Sequence, residues 1–367
     1  MSAANAPVAH PHPISLAIGE PAEGAPPPVI EAAVRALREG RARYGPPAGL
    51  PRLRELVAED LARKTGLPWL ADEVIVTAGG KPALLDTMRC ILEPGDEVLV
   101  LAPYWPSFLD QVAWAGGTAV VVAPGADLLP DPDAIAAACG PRTKVLILND
   151  PSNPTSRALA PELLARIAAV AERADLWLLV DQVYVDLALE GEHRTLLRVA
   201  PEVKERTVVV ESFSKRFAMT GLRLGAAAGP EHLIAAMTRL ASASTTHPNM
   251  IAQYAGIAAL EMDDEWIEAQ RTRYRRRRDR ALAGLAGIEG VQCARAECAF
   301  YLFPAIGRWM AARGTARDTD VTDALRAQGL LLVPGSAFGA PGHLRLSYGL
   351  ADEELDEALG RLRRFFA

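Results

Sequence analysis

The chain has 367 residues, half of them hydrophobic, with 23% charged side chains and a formal net charge of −6. That length fits two domains, the near-average charge excludes a disordered chain, and the negative balance removes any general attraction to nucleic acid. No apolar run approaches a membrane span, and four scattered cysteines without a CxxC pair, beside six histidines without an HExxH, make a metal centre unexpected and fit the cytoplasm.

From the start of the chain, Met1 to Pro13 lacks a basic and an apolar region, so a flexible lead-in is expected there rather than a signal peptide. Leu16-Ala17-Ile18-Gly19-Glu20-Pro21 reads as a turn, and a helix starts at Pro27 and Pro28 and closes at Gly40. Tyr44 to Arg54 is a turn-rich link into a second helix. Glu73 to Thr77 reads as a strand, and Ala78-Gly79-Gly80-Lys81 opens a helix from Pro82 to Leu92 that carries Arg89. Small residues at a helix start leave bare backbone N–H groups where the dipole is positive, which suits a phosphate. Strand Asp96 to Leu101 then runs into Pro103-Tyr104-Trp105.

Strand Thr118 to Val122, helix Asp131 to Cys139 and strand Lys144 to Leu148 continue an alternation that predicts a mostly parallel sheet covered on both faces. That strand ends in Asn149-Asp150-Pro151-Ser152-Asn153-Pro154-Thr155, and helix Pro161 to Ala174 leads to Leu176 through Asp181, Gln182 and Tyr184. An aspartate at the end of an apolar strand is costly without a cationic partner. The buried strand Thr207 to Val210 delivers Ser212-Phe213-Ser214-Lys215 to a loop beyond its end, followed by Met219-Thr220-Gly221-Leu222-Arg223-Leu224-Gly225. A lysine among Phe213, Phe217 and Met219 and near Arg223 should lose basicity, which frees an amine to attack a carbonyl. Helices follow from Glu231, with a Ser244 to Pro248 loop that holds His247, and the Arg-rich stretch Glu265 to Leu285 reads as a solvated helix. Cys298 to Phe303 is expected to be a strand, Asp320 to Gln328 a helix, Val333 to Gly339 a loop, and His343 to Tyr348 a strand that turns Arg345 to one side.

SFSK followed by MTGLRLG resembles the lysine signature of the pyridoxal-phosphate (PLP) aminotransferases of fold type I, the class I/II family. Further matches run in the family's order from Gly19 to Arg345. The resemblance implies an α/β fold: a large PLP-binding domain, 44–265, with a mostly parallel seven-stranded sheet between helices, and a smaller α+β domain from 14–43 and 266–367. It implies that Lys215 carries PLP as a Schiff base and moves the substrate proton, that Asp181 pairs with the pyridine nitrogen, and that Tyr184 and Asn153 bond the phenolic oxygen. Gly79, Gly80, Lys81, Ser212 and Arg223 would hold the phosphate, Trp105 would stack on the ring, and Tyr44 would reach the phosphate of a second subunit in a homodimer. Gly19, Asn153 and Arg345 would hold the substrate carboxylate, while Arg89 and His247 are weaker contacts for a side chain. The chain departs from the pattern in lacking an aromatic after Pro21, and in Ser156, Gln182 and Cys298 where relatives carry Gly, Glu and Gly.

The expected activity is transfer of an amino group between an L-amino acid and a 2-keto acid. Another PLP reaction on the same fold (β-elimination, decarboxylation, cyclisation or oxidation) is the alternative, along with a catalytically silent PLP-binding regulator. Ser212-x-x-Lys215 also spells the SxxK of serine hydrolases, but Lys64-Thr65-Gly66 precedes it, where that family needs its KTG afterwards, and no SxN triplet exists.

Overall fold

The computed structural model describes residues 10–191 and 193–367; most of the lead-in expected over 1–13 lies outside them. Its strands, in chain order, are β1 (Ile14–Ser15), β2 (Val74–Thr77), β3 (Glu97–Leu101), β4 (Thr118–Val122), β5 (Thr143–Asn149) and β6 (Trp177–Asp181). β7 (Thr207–Ser212), β8 (Gly225–Ala228), β9 (Tyr301–Leu302), β10 (Leu330–Leu331), β11 (Val333–Pro334) and β12 (Leu344–Ser347) follow.

Seven of them form one sheet in the order β2-β8-β7-β6-β5-β3-β4. Neighbours from β7 to β4 are parallel, and β8 alone runs against both of its partners. Successive side chains of a strand point to opposite faces, and here both faces are covered. Leu99, Leu146, Leu148, Leu178, Val180 and Val209 therefore enter one apolar cluster, while Val98, Val100, Val145, Ile147, Leu179 and Val210 enter another. The even apolar runs that made these strands legible are the signature of that double burial.

A third cluster joins Tyr274, Phe300, Leu325, Leu344, Leu346 and Leu355 to Ile14 and Leu16 from the chain's start. It surrounds the antiparallel sheet β11-β12-β9 and the parallel pair β1-β10. The helix Pro27–Arg38 behaves otherwise: it packs on the helix Met250–Leu260 and buries Val29 in the cluster of the large sheet. Of the segment 14–43, the first strand thus joins the C-terminal cluster, while the apolar face of this helix fits the sheet-side helices. The strand expected over Cys298–Phe303 shrinks to Tyr301–Leu302, since the Cys298 N–H is spent on the Ser156 carbonyl (3.2 Å).

Candidate active site

Asn149, Asp181 and Ser212 are the last residues of three adjacent parallel strands, β5, β6 and β7. Strand carboxyl ends are where an α/β sheet leaves room for a ligand. Here they meet the start of the helix Gly80–Ile91 around a hollow of about 450 Å³.

Lys215 stands in a one-turn helix, Phe213–Arg216, rather than in the expected loop. The Ser212 hydroxyl caps that turn by accepting the Ser214 N–H (3.2 Å). Behind the turn, Arg216 donates to Asp60 (2.7 Å), and Lys64 bridges Asp60, Asp186 and Glu211 at 2.8–3.1 Å. The Lys215 Nζ donates to the Gly19 carbonyl (2.5 Å). Burial pushes its amine down to about 8; Glu20 opposes the fall, and Arg223, Arg345 and Lys81 add to it.

Asp181 is 6% exposed, and its carboxylate has one hydrogen bond among the described residues, from the Val183 N–H at 3.4 Å. Burial pushes this carboxyl up to about 7. Asn149 spans the neighbouring strand ends, donating to the Asp181 carbonyl (3.2 Å) and accepting the Asn153 N–H (2.8 Å). Tyr184 shares a hydrogen bond with Tyr301 (2.8 Å between hydroxyl oxygens), and burial pushes both phenols up.

Arg345 is 2% exposed and donates to the Asn153 side-chain oxygen (3.2 Å) and to the Ala17 carbonyl. Its guanidinium lies over the rings of Tyr301 (4.7 Å), Phe338 (5.2 Å) and Trp105 (5.6 Å), and burial lowers its pKa. The Lys81 ammonium is also 5.6 Å from the Trp105 ring. Gly79 has φ +102°, and a Cβ there would lie 2.5 Å from an Arg223 nitrogen, so only glycine lets that guanidinium approach the helix start. Arg223, itself at φ +54°, is held by the Thr220 carbonyl (2.9 Å). Gly80, Ser212 and Arg223 thus share the wall of the hollow at the helix N-terminus, an arrangement suited to an anion.

Of the residues singled out in the sequence, Gly19, Gly80, Lys81, Trp105, Asn153, Asp181, Tyr184, Ser212, Lys215, Arg223 and Arg345 line one hollow. Gly79 caps the helix that bounds it. Tyr44 does not reach it: the ring is 90% exposed and packs edge-on against His247, 5.8 Å between centroids. Arg89 is exposed and also outside the hollow. Lys64, of the KTG triplet, is bound in the ion network behind Lys215 and is not on the wall of the hollow.

The residue reading missed Tyr301, Glu20 and Thr220, all on the wall of the hollow. Gly19 faces Tyr301 so closely that a Cβ on Gly19 would overlap its hydroxyl. Ser156 adopts φ +52°, where a glycine is the ordinary choice, and its side chain gives something in return. Its hydroxyl accepts the Tyr301 N–H (3.2 Å), and its carbonyl accepts the N–H groups of Glu297 and Cys298. Gln182 is buried, with neither side-chain atom hydrogen-bonded among the described residues.

Among the described residues no group of three or more His, Cys, Asp or Glu is placed to hold a metal, and no helix is long and apolar enough to cross a membrane. Residues 11–362 match the profile of aminotransferase class I and II. The aspartate/prephenate aminotransferase of Thermus thermophilus is 43% identical, over 96% of this chain and 90% of that protein. The aspartate aminotransferase of Geobacillus stearothermophilus is 39% identical, over 96% and 91%. Among solved structures, the Thermus thermophilus aspartate aminotransferase with maleate superposes with a TM-score of 0.90 at 41% identity, covering 96% of this chain and 92% of that one. The aspartate aminotransferase of Rhizobium meliloti gives 0.92 at 34% identity, over 97% and 91%. The seven-stranded sheet, the hollow at its strand ends and these likenesses agree: the chain belongs to the class I and II aminotransferases, PLP-dependent enzymes that move an amino group between an amino acid and a 2-keto acid.

Proposed function

We propose that the residues of this hollow divide the work of transamination among them, with Lys215 as the Schiff-base lysine. The observation that carries the reading is Asp181, a buried carboxylate without an ion-pair partner among the described residues, on the floor of a cavity ringed by cations. A protonated pyridine nitrogen is the partner such a group lacks. When bound, PLP supplies an electron sink for the pair released from the substrate Cα.

The chain's own residues do the rest. Gly79, Gly80, Ser212 and Arg223 would hold the phosphate, a dianion suited to Arg and to a helix start. Trp105 offers the ring a flat apolar face. Asn153 and Tyr184 orient the phenolic oxygen, and Tyr301 and Asn149 hold those two in place. Arg345, with Asn153 and the Gly19 backbone, grips the substrate carboxylate and so points the Cα–H at the Lys215 Nζ. Lys215, as a free amine, would take and return that proton; an amine pushed down to about 8 suits the task at neutral pH. Burial lowers Lys81 as well, and its place near Trp105 provides a second cation for a substrate with two carboxylates, such as those in the relatives' names.

The same reading makes the enzyme a homodimer whose composite sites take Tyr44 from the other subunit, in accord with that ring's exposure. It divides the chain into a cofactor domain, 44–265 with the helix Pro27–Arg38, and a smaller domain from the first strand and 266–367. Four unpaired cysteines fit a cytoplasmic protein. The test is Lys215→Ala: borohydride should fix PLP onto residue 215 of the parent chain and onto nothing in the variant. Turnover with aspartate and 2-oxoglutarate should fall roughly 10³-fold or more. Undiminished turnover in the variant would end the proposal.

A further inference from the structure

The segment Leu16–Glu20 is strapped across the mouth of the hollow by contacts at almost every residue. The Leu16 N–H donates to the Leu331 carbonyl (2.9 Å), and the Leu16 carbonyl accepts the Ser347 N–H (2.8 Å). Arg345 takes the Ala17 carbonyl and Lys215 takes the Gly19 carbonyl. At the free end of the strap, Glu20 accepts a hydrogen bond from the Thr220 hydroxyl. Thr220 opens the short turn Thr220–Leu222, and its carbonyl also holds Arg223. The strap is thus latched, through one carboxylate, to the loop that follows the reactive lysine.

Charge gives the latch a second meaning. Cations face Lys215 from three directions: Arg223 from its own loop, Arg345 from β12 and Lys81 from the helix Gly80–Ile91. Asp181, Tyr184 and Tyr301 share the wall, but Asp181 lies at the floor and the phenols stay protonated near neutral pH. Glu20 is the carboxylate at the mouth, and its charge raises the Lys215 amine against burial and the three cations. An ammonium buried among three other cations would lose its proton too readily, and a single carboxylate on the strap offsets that.

We propose that Glu20 is a positioning residue for Lys215: latched to Thr220, it closes the strap over the pocket and sets the pH at which the free amine becomes reactive. The proposal rests on Lys215 being the cofactor-bearing amine only for its role in catalysis, since both effects belong to the cofactor-free chain.

Two variants separate charge from latch. Glu20→Gln keeps an oxygen for Thr220 and removes the charge; Thr220→Val keeps the charge and removes the donor. In the full-length chain freed of cofactor, the pH midpoint of Lys215 acetylation is read by competitive labelling with acetic anhydride and mass spectrometry. It should fall by roughly half a pH unit in Glu20→Gln, about a threefold gain in neutral amine at a given pH, and Glu20→Asp should restore most of it. In Thr220→Val, hydrogen exchange of the backbone amides of residues 17–20 should quicken severalfold, and KM for the amino donor should rise more than kcat falls. A Glu20→Gln midpoint equal to the parent's overturns the electrostatic role, and parent-like exchange in Thr220→Val overturns the latch. Borohydride trapping of PLP on Lys215 reports separately on the lysine's role: absence of trapping with a shifted midpoint would sink the catalytic reading and leave this inference standing.

Discussion

On the role proposed above, Asp181 is a liability to the bare fold and an asset to the loaded enzyme. Its carboxyl titrates near 7 in the fold, against about 3.9 in an unfolded chain. Below both values the two states bind the same proton and nothing is lost. Between them the folded chain holds the extra proton, so stability falls as pH rises, and above 7 the full penalty is present. Asp181→Asn is free of that penalty. In cofactor-free protein, the Tm of the variant relative to the parent should therefore widen by roughly 2–4 °C between pH 4 and pH 8, measured by calorimetry, while PLP affinity drops. A pH-independent difference would refute the burial argument.

The same scale shows why some side chains were legible and others were not. Asp181 and Arg345 are charges set at the end of, or within, apolar strands, and Lys215 follows just beyond one, an arrangement that a core tolerates only for a purpose. Tyr301 sits in an ordinary aromatic run, Cys298 to Phe303, and Glu20 in an ordinary turn. Their roles arise from partners far away in the chain, Tyr184 for one and Thr220 for the other, which no local pattern encodes.

At the scale of elements, the strands β2, β3, β5, β6 and β7 were readable because they are rich in Val, Ile and Leu and buried on both faces, and the edge strand β4 because of its run of valines. β8 was not: Gly225-Ala226-Ala227-Ala228 has poor β propensity and looks like a continuation of a loop. Its smallness is what the site needs. A Cβ on Gly225 would come within 2.6 Å of the Gly79 carbonyl carbon, 2.8 Å of the Gly80 nitrogen and 2.9 Å of the Glu211 carbonyl oxygen, all backbone that has nowhere to go. Gly225→Ala should therefore cost about 2–3 kcal/mol in urea unfolding and loosen phosphate binding at the adjacent turn. Stability and PLP affinity equal to the parent's would show that the turn yields. Arg216 illustrates a related point, since the ion network that anchors it fixes the helical turn of Lys215 from behind, and nothing in its local sequence announces partners at Asp60 and Asp186.

For the whole molecule, the alternation of strands and helices carried the α/β class, and order of motifs carried the family. Which core each N-terminal segment joins was not legible, because Pro27–Arg38 is amphipathic and could lay its apolar face on any helix pair. That helix also leaves Ile30, Val34 and Leu37 exposed at helical spacing, and Tyr44 stands exposed further along the chain. In the homodimer proposed above, a second copy covers this stripe. Leu37→Glu should then shift sedimentation from dimer toward monomer and weaken PLP retention together, whereas monodisperse dimers with full PLP retention would move the contact elsewhere.

The strap across the pocket has a bearing on biogenesis. Ala17 and Arg345 meet although 328 positions separate them along the chain. A ribosome adding about 5–20 residues per second leaves the opening segment waiting on the order of tens of seconds for the strands that will receive it. The pocket is therefore among the last parts of the molecule to be finished, and a nascent chain has every strand of its large sheet before it can seal a cofactor in.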